Sequence, residues 1–179
     1  MMRIHAHPAC LLHDTGPDHV ERPQRLREVT KALRAAFPAL EWREAPRATR
    51  GQLLRAHAPG LLDLALETRP ASRLMLDPDT VLSPDSDEAA LRAAGAAAAA
   101  VDAVLVGLDT RVFCAVRPPG HHATRDAAMG FCLFNNIAIA ALHALDAHGL
   151  QRVAIVDFDV HHGNGTQAIF EQDRRVLFA

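Results

Sequence analysis

Residues 153–167 read VAIVDFDVHHGNGTQ: an unbroken β-branched apolar run, then two acids and two histidines within six residues, then a glycine-punctuated turn. An apolar run like residues 153–156 is how a central strand covered on both faces reads, and it predicts a mostly parallel sheet. Side chains alternate along extended chain, so Asp157, Asp159 and His161 fall on one side and Phe158, Val160 and His162 on the other. A carboxylate and an imidazole are donors that Zn2+ accepts, and Asp-x-His places both at one strand end. An Asp-x-Asp at a strand end also reads as a capped turn. Carboxylates this close repel, however, unless a cation or a proton sits among them. Gly163 and Gly165 turn the chain, and a short helix is expected from Thr166 through Phe170 and Glu171.

The rest of the chain alternates strand and helix. Strands are expected at residues 3–7, 40–45, 112–116 and 176–179. One helix is expected from Pro23, with Leu26, Val29, Leu33 and Phe37 on its packed face. Others follow from Thr49 as N-cap through His57, from Pro59 with Leu61, Leu62, Leu64 and Leu66, and from Ser83 as N-cap with Pro84 at the first helical position. A last one spans residues 137–148, closed by Gly149. Residues 74–86 read as a loop bearing Asp77, Asp79 and Asp85. The loop after the first strand holds His13, Asp14 and His19, which could be ligands but read better as solvated or substrate-rim residues. Phe131 could line a pocket or be core, and from its apolarity reads better as core.

A second chemical signal stands at residues 117–123, RPPGHHA. Lone histidines are usually surface or hydrogen-bonded core residues. A pair emerging after Pro-Pro-Gly at a strand end is aimed, because that loop fixes the backbone direction. Polar residues gathered where parallel strands end put the site at the carboxyl edge of an α/β sheet, where His121, His122, Asp157, Asp159 and His161 would meet. Imidazoles, a carboxylate and a cation make a kit for hydrolysis. The cation lowers the pKa of water from 15.7 to about 7, and a histidine removes the proton.

Bulk composition excludes other classes. The 179 residues suit one domain, 1–179, and the net charge of −2 gives no case for direct nucleic-acid binding. Three cysteines without CxxC spacing indicate neither a disulfide framework nor a thiolate zinc site, and a reducing cytoplasm is the natural setting. No run of about 18 apolar residues exists to span a membrane, and the N-terminus lacks a signal-peptide core.

RPPGHHA with GFCLFNN, followed by VDFDVHHGNGTQ, resembles the zinc-dependent histone deacetylase family, and its class II and bacterial amidohydrolase members more than class I. The opening HPACLLHDTGPDHVERPQRL is similar to the same group. The resemblance implies a three-layer arginase-like α/β fold and hydrolysis of acetyl-lysine or of small acetylated amines such as acetylpolyamines. It implies that Asp159 and His161 bind zinc, and that Asp157 supports His121 and helps hold a structural K+ with Asp159 and the carbonyl of His161. His121 and His122 would be the catalytic pair, with His122 as general base and acid. Asn164 stands where class I members have an acid paired with the second histidine. Gly130 and Phe131 would line the acyl-lysine tunnel, Asp79 or Asp77 would be the rim acid, and carbonyls around Phe170, Asp173 and Val176 could hold a second K+. Homo-oligomerisation is compatible with all of this.

The sequence departs from the family in two places. The family's third zinc ligand, a downstream aspartate, and its carbonyl-polarising tyrosine have no counterpart, and the chain contains no tyrosine at all. In the family's sheet, later strands insert between the third and the fourth. The expectation is therefore the N-terminal portion of a deacetylase domain, inactive or weakly active by itself. Two other readings stand beside it: a non-catalytic acyl-lysine-binding or regulatory fragment of the same fold, and a manganese ureohydrolase, against which the tandem histidines argue.

Overall fold

The computed structural model describes residues 2–179. Strand β1 (Met2–Ala6) is followed by a 3-10 turn (Pro8–Leu11), helix α1 (Pro23–Ala36), strand β2 (Glu41–Glu44), and helices α2 (Arg50–Ala56) and α3 (Pro59–Glu67). Next come β3 (Leu74–Met75), β4 (Val81–Leu82), the long α4 (Ser86–Leu105) and β5 (Arg111–Ala115). The chain continues through α5 (Asn136–Asp146), β6 (Val153–Ile155), α6 (Asn164–Phe170) and β7 (Val176–Phe178).

Strands β2, β1 and β5 form a parallel sheet in that order, and β6 and β7 form a separate parallel pair. The main core lies where α2, α3, α4 and α5 meet β6, around Leu53, Leu61, Leu62, Leu133, Phe134, Ile139 and Leu142. Alanines at 89, 90, 93, 94, 96 and 98 of α4 are buried, and their small side chains let α4 lie close against α5. An apolar groove of about 520 Å³ runs between β5 and β6, lined by Val112, Phe113, Val116, Val153 and the faces of α4 and α5. Among the described residues no helix is long and apolar enough to cross a membrane.

Local signals marked the starts of three helices. Thr49 caps α2 in a full capping box with Gln52, and Pro23 and Pro59 open α1 and α3. Several boundaries and faces differ from expectation. Residues 74–86 are not plain loop, because Leu74–Met75 pairs antiparallel with Val81–Leu82. The α4 helix starts at Ser86, not Pro84, because the Ser83 hydroxyl is turned to the Asp14 amide and to Ser86 Oγ instead of capping. Asn164, not Thr166, begins α6, and Asn135 caps α5 one residue earlier than expected. On α1 only Leu26 is buried, while Val29, like Phe37 just after the helix, stays exposed. On α3, Leu64 faces outward.

The largest correction concerns residues 153–156. They are not covered on both faces: the strand ends at Ile155, Ala154 is exposed, and Val156 is 71% exposed. Ile155 packs into the core, and Val153, two residues earlier on the same face, both packs against that core and lines the groove beside β5.

Candidate active site

The RPPGHHA loop leaves the carboxyl end of β5 and is pinned from three directions. Arg117, 2% exposed, donates from Nε and Nη2 to the two Glu21 carboxylate oxygens, both at 2.6 Å, and from Nη1 to the carbonyl of Cys10 at 2.8 Å. A buried guanidinium is tolerated only with such full pairing, and a two-pronged pair also fixes direction. Asn136 Nδ2 donates to the Pro118 carbonyl, and Asn135 Nδ2 donates to the Ala123 carbonyl, so the tandem asparagines grip the loop on either side of the histidines. Asn135 is held in turn by its amide donating to His57 Nε2 at 2.8 Å, with His57 Nδ1 donating to the Thr124 carbonyl.

So held, the two imidazoles stand 4.0 Å apart, centroid to centroid. His121 Nδ1 lies 2.8 Å from Asp157 Oδ2, and His122 Nδ1 lies 2.6 Å from Asn164 Oδ1. An amide oxygen can only accept, so His122 carries its proton on Nδ1 and presents a bare Nε2. The two histidines thus have unlike partners, a carboxylate and an amide.

Beyond β6 the chain curls through consecutive turns, with the Asp159 amide donating to Asp157 Oδ1 and the His161 amide to Asp159 Oδ1. Phe158 and Val160, 97% and 93% exposed, point away from the side bearing Asp157, Asp159 and His161. His161 Nδ1 lies 3.1 Å from Asp159 Oδ1, and the amide of His161 helps hold the Asp159 carboxyl below the usual carboxylate range. Two ligands of one tetrahedral zinc, each about 2.0 to 2.1 Å from it, stand roughly 3.3 Å apart. This donor pair therefore fits a zinc ion.

His121, His122, Asp159 and His161 line a single cavity of about 220 Å³ with Gly130, Phe131, Glu21 and Arg25. Phe131 is not core. It sits with Gly130 at the tip of a tight turn closed by Met129 and Cys132, both tip residues at positive φ (+56° and +69°), as a type I′ turn requires. An aromatic residue held there is strained by about 1 to 2 kcal/mol, a cost that functional sites tolerate. The Phe131 amide donates to Thr80 Oγ1, and that hydroxyl donates to Asp79 Oδ1, which ties the exposed Asp79 to the cavity rim. Asp77 is engaged differently: its Oδ1 accepts from the amides of Asp79 and Thr80, shaping the turn. Burial opposes its charge, but these bonds outweigh that and hold its carboxyl below the ordinary range.

The other early candidates separate. His13 is buried on Ser86 Oγ, and Asp14 pairs with Arg73. His19 packs edge-on against Phe131 at 4.8 Å and bonds the Asp79 carbonyl, so it belongs to the rim. Around the suggested second cation site, the carbonyls of Phe170 and Asp173 accept from Asp173 and Val176 within one turn. Cys114 and Cys132 are pushed up to about 12 by burial and offer no thiolate. The larger groove between β5 and β6 carries no titratable side chain except Cys114, whereas the smaller cavity gathers three histidines and an aspartate.

Sequence reasoning missed Glu21, Arg117, His57 and the two asparagines. The available signal was a charged residue directly after a buried strand and before Pro-Pro-Gly, and a tandem Asn directly before a helix.

Comparison with known proteins shows the family and the fold. The family described as histone deacetylase domain matches residues 19–179, and the chain belongs to that family. It is 40% identical over 187 residues to the histone deacetylase-like amidohydrolase of Pseudomonas aeruginosa, covering 94% of this chain and 49% of that protein. It is 42% identical over 178 residues to the polyamine deacetylase HDAC10 of Homo sapiens, covering 94% of this chain and 26% of that protein. The crystal structure of the HDA15 HD domain superposes with a TM-score of 0.93 at 39% identity, covering 99% of this chain and 51% of that one. The chain thus spans about half the length, or less, of these relatives. The fold is the deacetylase α/β fold with its mostly parallel sheet.

Proposed function

We propose that this chain contributes the histidine half of a zinc-dependent deacetylase site acting on acetyl-lysine or on a small acetylated amine such as an acetylpolyamine. One observation carries the reading: an imidazole with a bare Nε2, a second imidazole backed by a carboxylate, and a zinc-compatible Asp–His pair open into one cavity beside a strained Phe131. The names of the relatives, an amidohydrolase and a polyamine deacetylase, support the reaction and leave the two substrate classes side by side.

Asp159 and His161 would hold the zinc. When bound, it supplies Lewis acidity, which polarises an amide carbonyl and acidifies water. His122 takes the proton of the attacking water at Nε2, its ring held by Asn164, and returns it to the leaving amine. His121, backed by Asp157, carries compensating positive charge when protonated. Phe131 and Gly130 wall the acyl chain, and Asp79 at the rim accepts from the substrate amide or ammonium. Asp157, with the backbone carbonyls of Asp159 and His161, makes an all-oxygen set suited to a hard cation, here K+. We assign residues 1–179 to one deacetylase domain working in a reducing cytoplasm, in keeping with three free cysteines. By themselves these residues hydrolyse little or nothing.

The test is acetate release from an acetyl-lysine peptide and from an acetylpolyamine by the full-length protein and its His122→Ala variant. Turnover by the wild type, and loss in a variant of unchanged zinc content, is expected. Zinc lost along with activity would make His122 a ligand and refute its assigned role.

A further inference from the structure

Away from the 121–161 cavity the structure gathers a second set of metal-binding side chains. Asp102 comes from the last turn of α4, His143 from the last turn of α5, and His148 from the segment just after it. Nε2 of His143 and Nε2 of His148 each lie 2.7 Å from the same atom, Asp102 Oδ1, and the three donor atoms all lie within 4.8 Å of one another. The two rings meet edge-on, 5.2 Å between centroids.

We propose that Asp102, His143 and His148 form a second site for a divalent cation of the zinc class, independent of the deacetylase chemistry. One carboxylate oxygen and two imidazole nitrogens are a donor set that zinc accepts, with a fourth position left for water. Ligands of one tetrahedral zinc stand roughly 3.3 Å apart, so seating the ion asks each nitrogen–oxygen pair to open by about 0.6 Å. Asp102 is half exposed, which leaves an approach for the ion. The carbonyl-rich end of α5 places negative partial charge beside both histidines. A bound ion would tie the end of α4 to the end of α5 across the core.

Arg55 regulates this site. Its Nη1 lies 2.8 Å from His143 Nδ1 and, as a guanidinium, can only donate. His143 Nδ1 therefore accepts, and its proton sits on Nε2, aimed at Asp102. Metal binding at Nε2 requires the opposite tautomer, so Arg55 must swing aside. The guanidinium is a brake on affinity.

The experiment is calorimetric titration of Zn2+ into the protein carrying Asp159→Ala and His161→Ala, which removes the donors of the deacetylase cavity. One ion per chain is expected, abolished by Asp102→Asn and by His148→Ala. Arg55→Ala should tighten binding by roughly tenfold to a hundredfold, the usual scale for partners behind a metal ligand. Absence of binding while Arg55 is in place, or binding unchanged by Asp102→Asn, overturns the proposal. If Asp102→Asn does not fold, His148→Ala, which alters only a residue beyond the helix, decides in its place.

Discussion

A Cβ built on Gly130 would stand 2.5 Å from Cδ2 of His122. The turn cannot easily retreat, because the Phe131 amide is bound to Thr80 Oγ1 and Met129 pairs with Cys132. Gly130→Ala therefore displaces the imidazole, besides adding about 1 to 2 kcal/mol of left-handed strain. In the full-length protein, kcat/KM on an acetyl-lysine reporter should fall about 10²-fold, the scale of a 1 Å misplacement. Wild-type turnover would mean that the turn yields and the ring does not.

Asn164 fixes the tautomer of His122 through its amide oxygen. Asn164→Ala frees the ring to rotate and to move its proton to Nε2, where it cannot act as a base. Hydrolysis should drop by about 10²-fold while zinc content holds, because Asn164 is no donor to the ion. His122→Ala should cost more, about 10²- to 10⁴-fold. Parallel kinetics and zinc analysis would rank the two.

Arg117 and Glu21 are both buried and satisfy each other. Arg117→Met leaves the buried Glu21 carboxylate with only the largely exposed Arg25 guanidinium at 3.3 Å, and should destabilise by up to about 3 kcal/mol in urea unfolding. The double variant Arg117→Met with Glu21→Met should recover most of that loss. A double variant no better than the single one would show that the carbonyl contacts of Arg117, not its charge pair, carry the stability.

Stability should fall with acid well before the carboxylates titrate. Burial pushes His13 and His57 down to about 4 from an ordinary 6.5, and Arg117 adds to the effect at His13. In His57 a second proton would face the Asn135 amide, which already donates to Nε2. The unfolded chain takes up these protons first, so the contribution is present above about pH 6.5 and is lost as pH falls toward 4. Each histidine should cost about 2 kcal/mol between pH 7 and pH 5. Urea melts at the two pH values measure it, and His57→Gln should flatten the dependence.

The grouping of Asp159 and His161 was legible as a motif, but turns rather than extended chain carry it, since the strand ends at Ile155 and the amides of Asp159 and His161 bond back to the preceding acids. The Thr49 cap and the prolines at 23 and 59 were legible because they act on a few adjacent residues, whereas Ser83 misled because its hydroxyl is taken by the distant Asp14 amide. For Phe131 the residue type alone favoured core over pocket, because apolarity cannot separate core from cavity wall, and only the resemblance put it beside the cavity that it lines. Its positive φ follows from a turn held by Thr80, which is 51 residues away. Residues 153–156 carry the apolar composition of a covered strand, while the covering of each face depends on which elements pack there.

By itself the sequence determined which chemistry was available: paired histidines after Pro-Pro-Gly, an Asp-x-Asp-x-His run at a strand end, and strands alternating with helices. These are local patterns, set by residue type and the backbone's period of two or 3.6. Only the tertiary structure decided how those groups are tuned and held. The amide partner of His122, the carboxylate partner of His121, the clamp of Asn135 and Asn136, and the buried Arg117–Glu21 pair join residues 18 to 96 positions apart, or 12 at the nearest. Such pairings depend on which elements become neighbours once the core closes, and no local rule of sequence records that.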